Sequence, residues 1–257
     1  MSDSDDREPA LRISGLGFAA GGVSVLSDIG LTVAEGEFIG IIGPNGAGKT
    51  TLLNLLSGLL RPSAGSVRLA GRDIGGLGPA ERARLGVGRT FQTSLLFGAL
   101  PAAENVRLAA QARSGGVARM RWWRRPHGRD EASALAQQAI AAVGLGDVAA
   151  RPAAALSHGD KRKLELATLI ASDARVLLLD EPMAGVNSED VAGLTELIKN
   201  LHADGRTVLM VEHHITVVLG LAQRVAVLHH GRLLACGTPS EVMADETVQG
   251  AYLGDPL

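Results

Sequence analysis

Phe38-Ile39-Gly40-Ile41-Ile42 runs straight into Gly43-Pro44-Asn45-Gly46-Ala47-Gly48-Lys49-Thr50-Thr51 and then into Leu52-Leu53-Asn54-Leu55-Leu56-Ser57-Gly58-Leu59-Leu60. The first five residues are a short apolar run of β type, and the last nine place leucines at helical spacing. The order is therefore strand, glycine loop, helix. The loop satisfies G-x-x-x-x-G-K-[ST], in which glycines let successive backbone N–H groups turn inward around an anion without Cβ clashes. Lys49 is placed to reach β- and γ-phosphates as a point charge and Thr50 to give its hydroxyl to Mg²⁺, while the helix start adds its positive dipole end. Gly43 to Thr51 are thus the expected phosphate cradle. The plain alternative is a glycine turn with a surface lysine; the strand before and the helix after argue against it.

Downstream, Val176-Leu177-Leu178-Leu179-Asp180-Glu181 sets four apolar residues before two carboxylates. A buried strand of this kind delivers Asp180 to a Mg²⁺ shell at its C-terminal end, where α/β sheets bind ligands, and Glu181 can polarise the attacking water. Taken alone, the hexapeptide is equally a strand ending in a solvated acidic turn. The glycine loop upstream favours the first reading.

The intervening chain fits an α/β core with a helical insertion. Leu11 to Val33 reads as two strands joined near Ala19-Ala20-Gly21-Gly22, and Ser66 to Leu69 with Arg72-Asp73-Ile74 as a strand and turn. Pro101 to Arg113 and Asp130 to Val143 are Ala-rich helices, with residues 115–116 and 121–128 as a loop between them. Leu164 to Ile170 continues a helix, Val191 to Leu201 is another, and Val208 to Val211 is a buried strand. Residues 1–9 read as a solvated, disordered tail. Residues 10–257 read as one nucleotide-binding domain, with core segments of about 10–91 and 165–257 and a helical subdomain of about 92–164.

Bulk composition narrows the classes. A chain of 257 residues, 46% hydrophobic, can bury a core in one domain, and 33 glycines with 3% aromatics suit an Ala/Leu/Val-packed α/β interior. The single Cys236 excludes an intramolecular disulfide, and the acidic start, MSDSDDREP, does not read as a signal peptide, which would need a basic start and an apolar stretch. A cytoplasmic protein is expected. No apolar run reaches the roughly 20 residues of a spanning helix, so membrane contact must pass through a partner. A net charge of -2 supplies no general field for nucleic acid. Basicity is local, with seven Arg and no Asp or Glu from Asn105 to Arg129.

Further motifs narrow the P-loop class. Leu156-Ser157-His158-Gly159-Asp160, then Lys161-Arg162-Lys163-Leu164-Glu165, lies shortly before the Val176–Glu181 strand. It resembles the signature motif of the ABC transporter ATPases. On that resemblance Ser157, His158 and Gly159 close ATP in trans, the start of their helix facing a γ-phosphate held by another subunit. Taken alone, Ser-x-Gly ahead of a helix is an ordinary N-cap. Gln92, in Arg89-Thr90-Phe91-Gln92-Thr93, resembles the Q-loop glutamine that contacts Mg²⁺ and the attacking water. Ala184-Gly185-Val186-Asn187 resembles the D-loop, and Glu212-His213 the switch histidine, with His214 as the weaker candidate. The resemblance implies a P-loop NTPase fold of ABC type with an inserted α-helical subdomain and ATP and Mg²⁺ as cofactors. It also implies Glu181, His213 and Gln92 as catalytic residues, and Thr50, Gln92 and Asp180 around the metal.

Departures from the family pattern carry their own expectations. The adenine-stacking aromatic falls at Ala20, so adenine is stacked by Phe18 or by no aromatic. Asp160 is expected to point away from phosphate or be offset by Lys161 and Arg162, and Asn187 keeps a hydrogen-bonding side chain without charge. The close of the chain, Val227 to Arg232 and Gly237 to Gly254, resembles the ATPases of branched-chain amino-acid importers; urea and short-chain amide importers share much of it. The implied partners are a second copy or a paralogous ATPase, permease subunits and, indirectly, a solute-binding protein. Nucleic acid is not among them. The implied location is the inner face of the cell membrane, reached through the permease. Thr93 to Leu100 is a permease-docking surface or else subdomain packing, and the Arg-rich stretch with Trp122-Trp123 is a solvated loop, lies near the membrane or permease or, least favoured, stacks on nucleic acid. A soluble ABC ATPase, or an ATP-regulated binding module without transport, is the reading from another class.

Overall fold

The computed structural model describes residues 8–91, 95–113 and 127–253. Two sheets organise them. The first is antiparallel, in the order β2 (Val23–Val33), β1 (Leu11–Ala20), β4 (Ala64–Leu69), β5 (Arg72–Asp73). Its opening hairpin turns at Gly21-Gly22, as expected, whereas β4 starts at Ala64, ahead of Ser66, because β1 pairs back to it as far as Gly17.

The second sheet runs β10 (Arg232–Gly237), β9 (Arg224–His229), β3 (Phe38–Ile42), β8 (Thr207–Val211), β7 (Val176–Asp180), β6 (Val87–Arg89). All neighbours in it are parallel except β9 and β10. Its central strands are apolar runs because both faces are covered, and the period of two sorts their side chains. Ile39, Ile41, Val176, Leu178, Leu209 and Val211 pack toward the antiparallel sheet and α1 (Lys49–Ser57). Phe38, Ile42, Leu177, Leu179, Val208 and Met210 pack on the other face. That face is closed by α6 (Ser188–Ala203), α7 (Ile215–Leu221), α8 (Pro239–Ala244) and α9 (Glu246–Leu253). Arg82 of α2 (Pro79–Arg84), itself buried, donates to the Leu55 and Leu56 carbonyls at the end of α1, satisfying acceptors a helix end leaves open.

A separate apolar cluster joins α3 (Ala102–Arg113), α4 (His127–Ala142) and α5 (His158–Ala171). α4 begins at His127, inside the stretch expected to be a loop. α5 serves two cores: Leu164, Ala167 and Ala171 face α3 and α4, while Leu166 and Leu169 face the six-stranded sheet. The helix runs unbroken across the expected 164/165 boundary. Among the described residues no helix is long and apolar enough to cross a membrane.

Candidate nucleotide site

Strand order brings the site together. β3, β8, β7 and β6 are parallel neighbours, so the segments leaving their C-terminal ends are adjacent. These segments are Gly43–Lys49, Glu212–His214, Asp180–Glu181 and Thr90–Phe91. A larger cavity of about 550 Å³ opens at the opposite edge, beside Arg175, Val176 and Thr207, away from all of them.

The glycine loop needs its glycines. Gly43 has φ +151°, and a Cβ there would lie 2.1 Å from the Leu228 carbonyl oxygen of β9, so only hydrogen lets the loop leave β3 so close to its neighbour. Asn45, Gly46 and Thr50 are exposed, Pro44 and Thr51 are partly buried, Ala47 is buried, and left-handed Gly48 stands ahead of α1. Lys49 is only 6% exposed and folds over the loop, donating from Nζ to the Gly43 carbonyl at 2.7 Å and the Pro44 carbonyl at 2.9 Å. Burial lowers its pKa, and the charges of Glu181 and Asp180 oppose that shift. The cation thus sits in the field of both carboxylates.

Asp180 is 1% exposed. Its Oδ2 accepts from Arg89 Nη2 at 2.9 Å and its backbone N–H donates to Thr90 Oγ1 at 3.1 Å, whereas its Oδ1 is buried with no hydrogen-bond partner. Burial raises the carboxyl pKa, with Arg89 pulling it back down. One satisfied and one orphaned oxygen fit a hard, partly hydrated cation held by few protein ligands. Among the described residues no cluster of three His, Cys, Asp or Glu could hold a metal without such help. Gln92, the third expected metal neighbour, lies outside the described residues, as do Trp122 and Trp123.

Glu181 adopts φ +48°, unusual for a side chain with a Cβ. Its N–H donates to the Val211 carbonyl at 2.9 Å, prolonging the β7–β8 ladder, and its Oε1 accepts from His213 Nε2 at 2.9 Å. Carboxylate and imidazole thus meet across the ends of two adjacent strands. In this arrangement His213 is engaged by Glu181, an interaction the sequence did not suggest.

Ser157 caps α5, accepting from the Asp160 N–H at 3.1 Å, and with His158 it is exposed. Gly159 is buried against α6, where a Cβ would lie 2.7 Å from Asp190 Oδ2. Among the described residues no hydrogen bond or ion pair joins Ser157, His158 or Gly159 to the glycine loop, Asp180, Glu181 or His213. Asn187 caps α6, its Oδ1 accepting from the Asp190 N–H at 3.1 Å, so the hydrogen-bonding side chain expected there is used within its own helix. Phe18 packs against the main core beneath the antiparallel sheet.

Of the two alternatives for Asp160, pointing away from phosphate or being offset by Lys161 and Arg162, the second is not seen among the described residues as an ion pair with either residue. On a helix, residues one or two apart point to different faces, and Lys163, at i+3, approaches Asp160 Oδ1 at 4.0 Å. Arg162 turns away, donating from Nη1 to the Phe91 carbonyl and to Glu165 Oε2, each at 2.9 Å. Arg89, to which the sequence assigns no role, donates to Asn54 Oδ1 at 2.7 Å and Ser57 Oγ at 2.9 Å, and lies 5.1 Å from the Phe91 ring centre. Only the pairing of β6 with β7 reveals its partner.

A groove of about 410 Å³ lies beside Phe91, lined by Leu95, Leu96, Phe97, Asn105 and Leu108. Leu95 is 67% and Phe97 60% exposed, so these two are not subdomain packing, whereas Leu96 packs onto the helical cluster.

Comparison with known proteins agrees with this geometry. The ABC transporter family model matches residues 26–184, and the model for the branched-chain amino acid ATP-binding cassette transporter matches residues 232–256. The high-affinity branched-chain amino acid transport ATP-binding protein LivG of Salmonella typhimurium is 37% identical over 254 residues, covering 96% of this chain and 99% of that protein. BraF of Pseudomonas aeruginosa, which carries the same description, is 38% identical over 254 residues, covering 96% and 98%. A nucleotide-free ATP-binding cassette from an ABC transporter superposes with a TM-score of 0.84 at 26% identity, covering 96% of this chain and 100% of that one. The dimeric post-hydrolysis cassette MJ0796, bound to ADP and Pi, superposes at 0.76 with 25% identity, covering 89% and 98%. The chain belongs to the ABC transporter ATP-binding family, whose members bind nucleotide and couple ATP hydrolysis to transport.

Proposed function

We propose that this chain powers import of branched-chain and similar hydrophobic amino acids, working as a dimer beneath permease subunits that take solute from a binding protein. The observation that carries the hydrolytic part is the 2.9 Å pairing of Glu181 with His213 beside Asp180, whose Oδ1 is free. The match over residues 232–256 and the two relatives carry the solute class.

In this reading Lys49 leaves the Gly43 and Pro44 carbonyls for the β- and γ-phosphate oxygens, and the loop amides from Gly43 to Thr51 surround them. Thr50, Asp180 and Gln92 would hold Mg²⁺, which would supply positive charge to those oxygens. Glu181 accepts a hydrogen bond from the attacking water and takes up its proton as the step proceeds, releasing it to the phosphate or to solvent afterwards. As the water oxygen bonds to the γ-phosphorus, the bond to the ADP oxygen breaks, and His213 orients Glu181 and contacts the γ-phosphate. A second subunit's Ser157–Gly159 helix start faces the γ-phosphate from the other side. The exposed groove at Leu95 and Phe97 receives the permease segment, which fixes the chain at the inner membrane face. The helical subdomain of about 92–164 is the part that moves with it.

Glu181→Gln should bind ATP, dimerise and lose turnover, read by steady-state phosphate release; retained turnover counts against the assignment. Lys49→Ala should lose nucleotide affinity in a titration with labelled ATP. In proteoliposomes with the neighbouring permease and binding protein, leucine should stimulate hydrolysis and urea should not.

A further inference from the structure

Glu212 is 2% exposed, and the mechanism above gives it no task. Its Oε1 accepts from the Met183 N–H at 2.8 Å. Its Oε2 accepts from the His213 N–H at 2.9 Å and the His214 N–H at 3.3 Å, and lies 3.2 Å from His214 Nδ1. The two segments it joins are the ones that carry the hydrolytic pair. Met183 belongs to the turn closed by the Ala184 N–H donating to the Glu181 carbonyl at 3.0 Å, and His213 is the next residue after Glu212.

Burying a carboxylate is costly unless donors surround it, and here they all come from these two turns or from His214. Glu181 is held at positive φ, a conformation that persists only where its surroundings over-determine it. We infer that Glu212 is a positioning residue for ATP hydrolysis: one buried carboxylate holds both turns and thereby sets the Glu181–His213 separation. His214, 58% exposed at its side chain, adds a donor to Oε2 from the solvent side.

The inference rests on the hydrolysis reading above. If Glu181→Gln kept full turnover, that reading and this one would both fall. An active wild type with a silent Glu212 variant would remove only the present inference. Glu212→Gln keeps shape but sets an NH₂ group against N–H donors. Its kcat should fall about tenfold to a hundredfold, the scale of a misplaced catalytic group, while ATP affinity stays within about twofold. In a His213→Ala background the same change should cost less than about twofold, because the pair it positions is gone. Amide exchange at Met183, His213 and His214 should quicken while the glycine-loop amides stay as protected as in wild type. Should Glu212→Gln fail to fold, Glu212→Asp keeps the charge but is too short to span both turns, and the same pattern is expected. An unchanged kcat, or an equal loss with and without His213, would overturn the inference.

Discussion

Replacing Arg89 by Met tests the architecture around Asp180. The pair is almost wholly enclosed, with side chains 5% and 2% exposed. Removing the guanidinium strands a carboxylate that is already orphaned at Oδ1. Breaking a buried pair from one side costs about 3–5 kcal/mol. At about 2–4 °C per kcal/mol for a domain of this size, Arg89→Met should melt about 6–20 °C below wild type in scanning calorimetry. The pH dependence has a definite sign. Burial already raises the Asp180 carboxyl, and Arg89 is what opposes that rise, so its loss lifts the folded value further above the unfolded one. A folded protein with a raised carboxyl pKa is favoured while the group is protonated and loses that advantage as pH climbs through the folded value. The gap between variant and wild type should therefore be narrower near about pH 5 than near about pH 8. Melting within about 2 °C of wild type at the higher pH, or a gap indifferent to pH, would refute the reasoning.

Gly43→Ala and Gly46→Ala should differ sharply, since a Cβ at Gly43 meets the Leu228 carbonyl at 2.1 Å whereas one at Gly46 meets nothing within 4 Å. ATP affinity by calorimetric titration should fall at least about tenfold for the first and change little for the second, whose cost is about 1–2 kcal/mol of backbone strain; the reverse ranking would contradict the loop geometry. Leu95→Ser with Phe97→Ser should leave the isolated cassette's ATPase rate within about twofold and abolish co-purification with the permease, because both side chains face outward.

Local spacing made part of this legible. The glycine loop, the apolar strand ending in Asp180-Glu181 and the Ser157 cap are readable because each lies within a dozen residues and its chemistry depends on neighbours in sequence. Arg89, Glu212 and Arg162 could not be read in that way. Arg89 meets Asp180 only because β6 lies beside β7, and Glu212 meets Met183 only because β8 lies on the other side of β7. Arg162 looked like a counterion for Asp160, yet helical geometry sends it to Phe91. The start of α4 at His127 shows a different limit, since Gly and Arg nearby looked like loop punctuation. Phe18 lies partly buried against the core, a placement set by the long-range pairing of β1 and not by its neighbours in sequence.

Arg89 and Arg162 give the peptide at Thr90–Phe91 two anchors of unequal strength. One is Arg89, whose guanidinium holds the Asp180 carboxylate at the end of β7, and the other is Arg162, which reaches the Phe91 carbonyl from α5. If α5 swings relative to the sheet, the tether to the Phe91 carbonyl gives way first, because a charge-to-carbonyl hydrogen bond contributes about 1.5–3 kcal/mol against about 3–5 for breaking the enclosed pair. The Arg162 contact is the weaker of the two, so a change in the angle of α5 would be taken up there before it reached the Asp180 carboxylate.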